Sequence, residues 1–181
     1  DGLLDRLTEK PDLDFVVKKE AIKLVKNLAK KIKGTSVVLD KKRDIARLVI
    51  DGWTLDFASQ VGKSLEDDLL RRDFRINSMG LILNKELKFV DPVGGIKDLG
   101  EKIIVAITEK NLVEDPLRIL RGFRLMADLN FALEEKTKNL FFTHSQLLKT
   151  VAPERIKVEI LKIASSKFGD LVLPIIKESG L

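Results

Sequence analysis

The sequence predicts an α+β fold: a mixed head of strands and helices followed by an all-helical segment. Three observations carry that expectation. Up to about Thr108, short runs rich in Val, Ile, Leu and Phe alternate with helical stretches, and beyond it the apolar period is helical throughout. Turn signals such as Asp51-Gly52 separate the runs. Hydrophobic residues make up 44% of the 181, enough for a core, and 34% charged residues supply a solvated surface.

Residues 13–17 read as the first strand. Over residues 18–33, Ile22, Val25, Leu28, Ala29 and Ile32 share one helical face, with lysines on the other. Strands follow at residues 36–39 and 45–50, and Asp51-Gly52 turns the chain into a third run at 53–58. Ser64 with Asp67 three residues on is a capping box, opening a helix that carries Leu65, Leu69 and Leu70. Gly80–Leu83 and Leu87–Val90 form a hairpin around Asn84-Lys85-Glu86. Pro92 and Gly94-Gly95 then break the chain, and residues 103–107 make a last short strand. Next, Leu117, Leu120, Phe123, Leu125 and Met126 line a helix that Asn130 stops. Further helices are expected at 140–148, 153–163 and 171–176.

Composition excludes several classes of function. No stretch approaches the roughly 18 apolar residues of a membrane span, and no basic-then-apolar signal segment opens the chain. With no cysteine there is neither a disulfide framework nor a thiolate metal site. A single histidine, His144, rules out a histidine-rich zinc site and makes a Ser-His-Asp triad hard to build. It is expected to be an ordinary helix residue. The net charge of +5 permits a polyanionic partner without demonstrating one. The chain starts at Asp1 and its only methionines are Met79 and Met126, so it is expected to be an excised piece.

Chemistry concentrates in three places. Asp12 and Asp14, two apart on a strand, project from one face. Asp56 stands alone on an otherwise apolar run, where it can complete an oxygen cluster suited to Mg²⁺. A solvated turn after Pro11 and an exposed strand edge explain the same residues. Arg71-Arg72-Asp73 follows a helix; its guanidinium groups can hold phosphates or stack on bases, or simply complement a helix terminus. Glu114-Asp-Pro-Leu-Arg118 reads as a helix start, with Asp115 and Arg118 three apart on one face and Arg121 and Arg124 continuing the line. A carboxylate accepts from the amino group of cytosine or adenine while a guanidinium donates to the acceptors beside it, so this pair can select C and A without a template. On spacing alone an intrahelical salt bridge is the favoured account.

Taken together, these segments resemble the class II tRNA nucleotidyltransferase (CCA-adding enzyme) and bacterial poly(A) polymerase family, within the polymerase-β-like nucleotidyltransferases. The matching pieces are Pro11-Asp-Leu-Asp-Phe-Val-Val17, Ser64-Leu-Glu-Asp-Asp-Leu-Leu-Arg-Arg-Asp-Phe-Arg-Ile-Asn77, Asp91-Pro-Val-Gly-Gly95, Glu114-Asp-Pro-Leu-Arg118 with Arg121 and Arg124, and Pro153-Glu-Arg-Ile156. They stand in family order and span nearly the whole chain.

The resemblance implies a nucleotidyltransferase head with a mixed sheet over residues 1–108 and an all-α, nucleotide-reading neck over 109–181. It implies that Asp12, Asp14 and Asp56 are catalytic and bind Mg²⁺. Arg71, Arg72, Asp73 and Asn77 would belong to the nucleotide site. Asp115 and Arg118 would read the base, with Glu114 and Arg121 fixing them. The implied partners are tRNA, CTP and ATP, with no membrane, in a cytoplasmic setting.

Two departures from the family pattern stand out. Its glycine-glycine-x-valine-arginine-aspartate element is reduced to Asp1, and the C-terminal body and tail are missing, so these 181 residues alone are expected to be inactive or very weak. The stretch between Asp56 and Arg71 is also short, as in relatives that add only two cytidines, which raises CC addition as an expectation. Poly(A) synthesis and a catalytically lapsed RNA-binding module are the competing readings.

Overall fold

The computed structural model describes residue 9 and residues 12–180. Asp1 and Pro11, both named in the sequence motifs, lie outside the described residues. The fold is α+β, as expected. Two compact units divide the chain, residues 1–65 and 66–181. Among the described residues no helix is long and apolar enough to cross a membrane.

The first unit contains β1 (Leu13–Val17), α1 (Ala21–Ile32), β2 (Thr35–Asp40), β3 (Ile45–Ile50) and β4 (Trp53–Ser59). Its sheet runs β1-β4-β3-β2, with β1 parallel to β4 and the other pairs antiparallel. Asp51 and Gly52 both have positive φ, 48° and 79°, which the tight turn joining β3 to β4 requires. Alternation along the strands separates two faces. Ala46, Leu48 and Phe57 are buried with Ala21, Val25 and Ala29 of α1, and Phe15 stacks on Phe57 at 4.8 Å. The intervening residues Asp14, Arg47 and Asp56 therefore leave the opposite face.

The N-terminus of α1 is satisfied from a distance. Glu20, before the helix, makes no side-chain cap. The Asp44 carboxylate instead accepts from the amides of Ala21 at 2.9 Å and Ile22 at 3.1 Å, and from the Ser59 hydroxyl. The Ser59 bond, followed by the Ile22 amide, holds the Asp44 carboxyl below its usual range.

The second unit carries most of α2 (Leu65–Leu70), then a 3-10 turn (Arg75–Asn77) and the hairpin β5 (Gly80–Leu83) and β6 (Leu87–Val90). These are followed by α3 (Gly95–Glu101), β7 (Ile103–Ile104), α4 (Glu109–Glu114), α5 (Leu117–Leu129) and β8 (Ala132–Leu133). The unit finishes with α6 (Glu135–His144), a 3-10 stretch (Ser145–Thr150), α7 (Pro153–Ser165) and α8 (Gly169–Glu178). Its core centres on Phe74, Phe123 and Phe141, with Phe141 edge-on to both other rings. Gly122 makes that packing possible: a Cβ there would sit 2.3 Å from the Phe141 ring and 2.8 Å from Phe74.

Several elements differ from expectation. The Gly94-Gly95 pair opens a helix instead of breaking the chain. Gly94 takes a positive φ of 79°, and the Asp91 carboxylate accepts from the amides of Gly95 at 2.8 Å and Ile96 at 3.0 Å. The expected strand at 103–107 shrinks to two residues, because its partner β8 is only two residues long and pairs in parallel. That strand also interrupts the stretch expected to be wholly helical. The short helix α4 was not foreseen; Thr108 caps it by accepting from the Asn111 amide. Helix α6 starts at Glu135, ahead of the expected 140, because Glu134 accepts from the Thr137 amide and hydroxyl and so fixes an earlier first turn.

Candidate active site

In residues 12–65 the parallel register sets Asp14 directly beside Asp56, and the antiparallel register sets Asp56 beside Arg47. Arg47, Asp56 and Asp14 thus form a row across three strands on the face away from α1. Arg47 grips Asp56 with both arms of its guanidinium, Nε to Oδ1 at 2.7 Å and Nη2 to Oδ2 at 2.8 Å. That pair raises the Arg47 pKa above its usual value, and the charges of Asp12 and Asp14 add to it. All three carboxylates therefore act on one cation. Asp12 and Asp14 are exposed, while Asp56 is half-buried.

The sequence led us to expect three carboxylates converging on a metal. Among the described residues, no three acidic or histidine side chains are grouped closely enough to hold one. The Arg47 fork takes one lone pair on each oxygen of Asp56. Asp12 and Asp14 still offer hard oxygen donors at an open surface. This suits Mg²⁺, which typically uses one or two carboxylates and completes its shell with water and substrate phosphates.

In residues 66–181 a second polar cluster forms. Arg71 donates to Asp68 at 3.0 and 3.1 Å, and Arg72 donates to the Asn77 carbonyl at 3.0 Å. Asp73 is buried. It accepts from the Asn77 amide side chain at 3.1 Å, from its neighbour's backbone N–H, and from Arg121 Nε at 2.8 Å, with Arg121 Nη2 in ion-pair contact at 2.7 Å. Burial alone would push the Asp73 carboxyl up. The Arg121 charge and the hydrogen bonds from Asn77, Arg121 and Phe74 outweigh it and hold the group below the usual carboxylate range.

The Asp115–Arg118 geometry differs from the expected shared helical face. Asp115 is extended, with φ −139° and ψ 90°, and α5 begins only after Pro116. The residue before a proline is pushed out of the helical region by the proline ring. Asp115 pairs instead with Arg155, whose Nη2 lies 3.3 and 3.1 Å from its two oxygens. Arg118 donates to the Asn111 carbonyl at 2.9 Å. Burial lowers its pKa, opposed by the fields of Asp73, Asp115 and Glu114. Arg121 fixes Asp73 and not the Asp115–Arg118 pair, and Glu114 lies 3.7 Å from Lys110 at the surface. Arg124 turns to Glu159 and Asp128. His144 ends α6 with its Nε2 2.7 Å from Glu109.

Three functional candidates escaped the sequence reading. Asn111 is buried and donates through Nδ2 to the carbonyls of Leu70 at 2.8 Å and Arg72 at 2.7 Å, which joins the arginine turn to the turn carrying Asp115 and Arg118. Its position three residues after Thr108 hinted only at a cap. Arg155 lies in the Pro153 motif, but nothing local linked it to Asp115. Arg47 was hidden as one charge in an apolar strand.

The chain is similar to known proteins over most of its length. Residues 1–105 match the family model described as the poly A polymerase head domain, and residues 130–181 match the probable RNA- and SrmB-binding site of polymerase A. A CC-adding tRNA nucleotidyltransferase of Synechocystis sp. is 40% identical over 169 residues, covering 93% of this chain and 40% of the relative. An A-adding tRNA nucleotidyltransferase of Aquifex aeolicus is 37% identical, covering 89% of this chain and 22% of the relative. Among solved structures, a tRNA nucleotidyltransferase complexed with a primer tRNA and an incoming ATP analogue superposes with a TM-score of 0.85 at 32% identity. That superposition covers 98% of this chain and 54% of the other. The chain thus spans about two-fifths of the length of its CC-adding relatives.

Proposed function

The chain belongs to the poly(A) polymerase head-domain family, and from that premise we propose that it is the nucleotide-adding part of a template-independent tRNA nucleotidyltransferase. The reaction is attack of a tRNA 3′-hydroxyl on the α-phosphate of CTP or ATP: the new P–O bond forms and pyrophosphate leaves. Residues 1–108 act as the head and 109–181 as the neck. Asp12 and Asp14 hold Mg²⁺, while Asp56, the third carboxylate of this face, stays in the Arg47 fork beside Asp14. When bound there, the metal supplies charge neutralisation for the attacking oxygen and the leaving group.

The remaining residues position the nucleotide. Arg71, Arg72, Asp73 and Asn77 form the turn assigned to ribose and phosphates. Asp115 accepts from the exocyclic amino group of C or A. One Arg155 nitrogen bridges its two oxygens, so lone pairs remain for that bond. Arg118 spends one nitrogen on Asn111 and keeps further donors for the acceptors on the base edge. The observation that carries this reading is the two-armed Arg121 grip on Asp73, which fastens the arginine-arginine-aspartate turn to the base-reading helix.

CC addition is the favoured specificity. Only residues 60–64 connect β4 to α2, the short connection expected of an enzyme that stops after two cytidines, and relatives at 40%, 36% and 34% identity bear CC-adding names. The test is to sequence RNA 3′ ends after incubating the protein, at its full natural length, with trimmed tRNA and all four NTPs. Two added cytidines are expected. AMP joined to a tRNA ending in CC refutes CC specificity, and long A tails on generic RNA assign the protein to poly(A) synthesis. Asp12→Ala or Asp14→Ala is expected to abolish turnover while sparing RNA binding.

A further inference from the structure

We infer that Arg47 is a positioning residue for the carboxylate face: it holds Asp56 off the Asp12–Asp14 pair and thereby weakens divalent-cation binding there. The inference rests on the reading that Asp12 and Asp14 hold the metal.

The strand register supplies the geometry. Arg47 opposes Asp56 on one side, and Asp14 opposes Asp56 on the other, so Asp56 has a cation and a carboxylate as its two cross-strand neighbours. Like charges side by side repel and opposite charges attract. The carboxylate accordingly turns to Arg47, where two parallel N–H···O bonds of 2.7 and 2.8 Å fix it. An arginine fork matches a carboxylate in a way that a lysine cannot.

Charge is the second half of the inference. Arg47 is a positive charge among three carboxylates, and replacing it by a neutral residue makes this face more negative by one charge. Asp12 and Asp14 both lie near enough to Arg47 for their charges to bear on it. Removing Arg47 therefore has two consequences: Asp56 is released toward Asp14, and a repelling positive charge disappears.

The experiment uses Mn²⁺ alone as the probe. Free Mn²⁺ is measured by electron paramagnetic resonance against the full chain, with circular dichroism to confirm folding. Arg47→Gln is expected to bind Mn²⁺ about fivefold more tightly, the factor that one unit charge about 8 Å from a divalent ion exerts through water. Arg47→Lys keeps the charge and loses the fork, so a smaller gain is expected; it also serves if the glutamine variant does not fold. Affinity no tighter than wild type in Arg47→Gln, or a Lys variant tighter than the Gln variant, overturns the inference. A combined Asp12→Asn, Asp14→Asn chain separates the two claims. Unchanged Mn²⁺ binding in that chain removes the metal reading and the inference with it, whereas lost binding there with no Arg47→Gln effect overturns the inference alone.

Discussion

Asp73 is the residue on which the second unit's polar cluster turns. Its buried carboxylate faces Arg121, so Arg121→Ala would strand a charge inside the fold, and a loss of about 3 kcal/mol is expected in urea denaturation. The pH dependence follows from the depressed Asp73 pKa. The stabilisation is fully present above the unfolded carboxylate value and disappears as pH falls through the lower folded value. The gap between wild type and Arg121→Ala is therefore expected to narrow in acid titrations below about pH 4. Asn111 acts at the same scale. Asn111→Ala removes the donor to two backbone carbonyls, with an expected cost of about 1–3 kcal/mol. Because those carbonyls belong to Leu70 and Arg72, a rise in KM for CTP should accompany it. The motif residues were visible in the sequence as types and spacings, but their partners were not. Asp73 and Arg121 are 48 positions apart and Asp115 and Arg155 are 40 apart, so only the folded chain reveals who meets whom. The extended backbone of Asp115 is legible in the sequence, since Pro116 disfavours the helical region for its predecessor.

Elements with a strong period were readable from the sequence. The β5–β6 hairpin occupies the expected residues, β3 matches its expected bounds, and Asn130 ends α5 in the left-handed conformation. Short elements were not readable, because six or seven residues of α3 and α4 hold too few turns for periodicity to show. Their starts depend on Asp91 and Thr108 reaching forward to accept from amides of the first turn. The helix–ring contact at Gly122 yields a sharp expectation. Gly122→Ala would ordinarily favour a helix, yet here the added methyl collides with Phe141 and Phe74, so a loss of about 1–3 kcal/mol and a lower Tm are expected. Asp44→Ala is expected to cost about 1 kcal/mol by uncapping α1, again read from the urea midpoint.

Across the molecule, the change of hydrophobic period near Thr108 and the division into compact units at residues 65 and 66 do not coincide. Periodicity registers where strands give way to helices, whereas compactness registers which segments share a core. Phe74, in the strand-rich stretch, is buried with Phe123 and Phe141 of the helices. Hydrogen exchange offers a test at this scale: Asp44→Ala should first loosen amides within residues 12–65, and Arg121→Ala those within 66–180.

The four-stranded sheet of the first unit has its packing contacts on one side and a charged row on the other, because successive side chains point in opposite directions. Sequence drift can thus rework the oily contacts of Ala21, Val25 and Ala29 while the acidic row stays where the hydrogen-bonded ladder puts it. A lineage bearing this layer is free to adjust its tolerance of heat and the charge of that outer row by separate sets of substitutions.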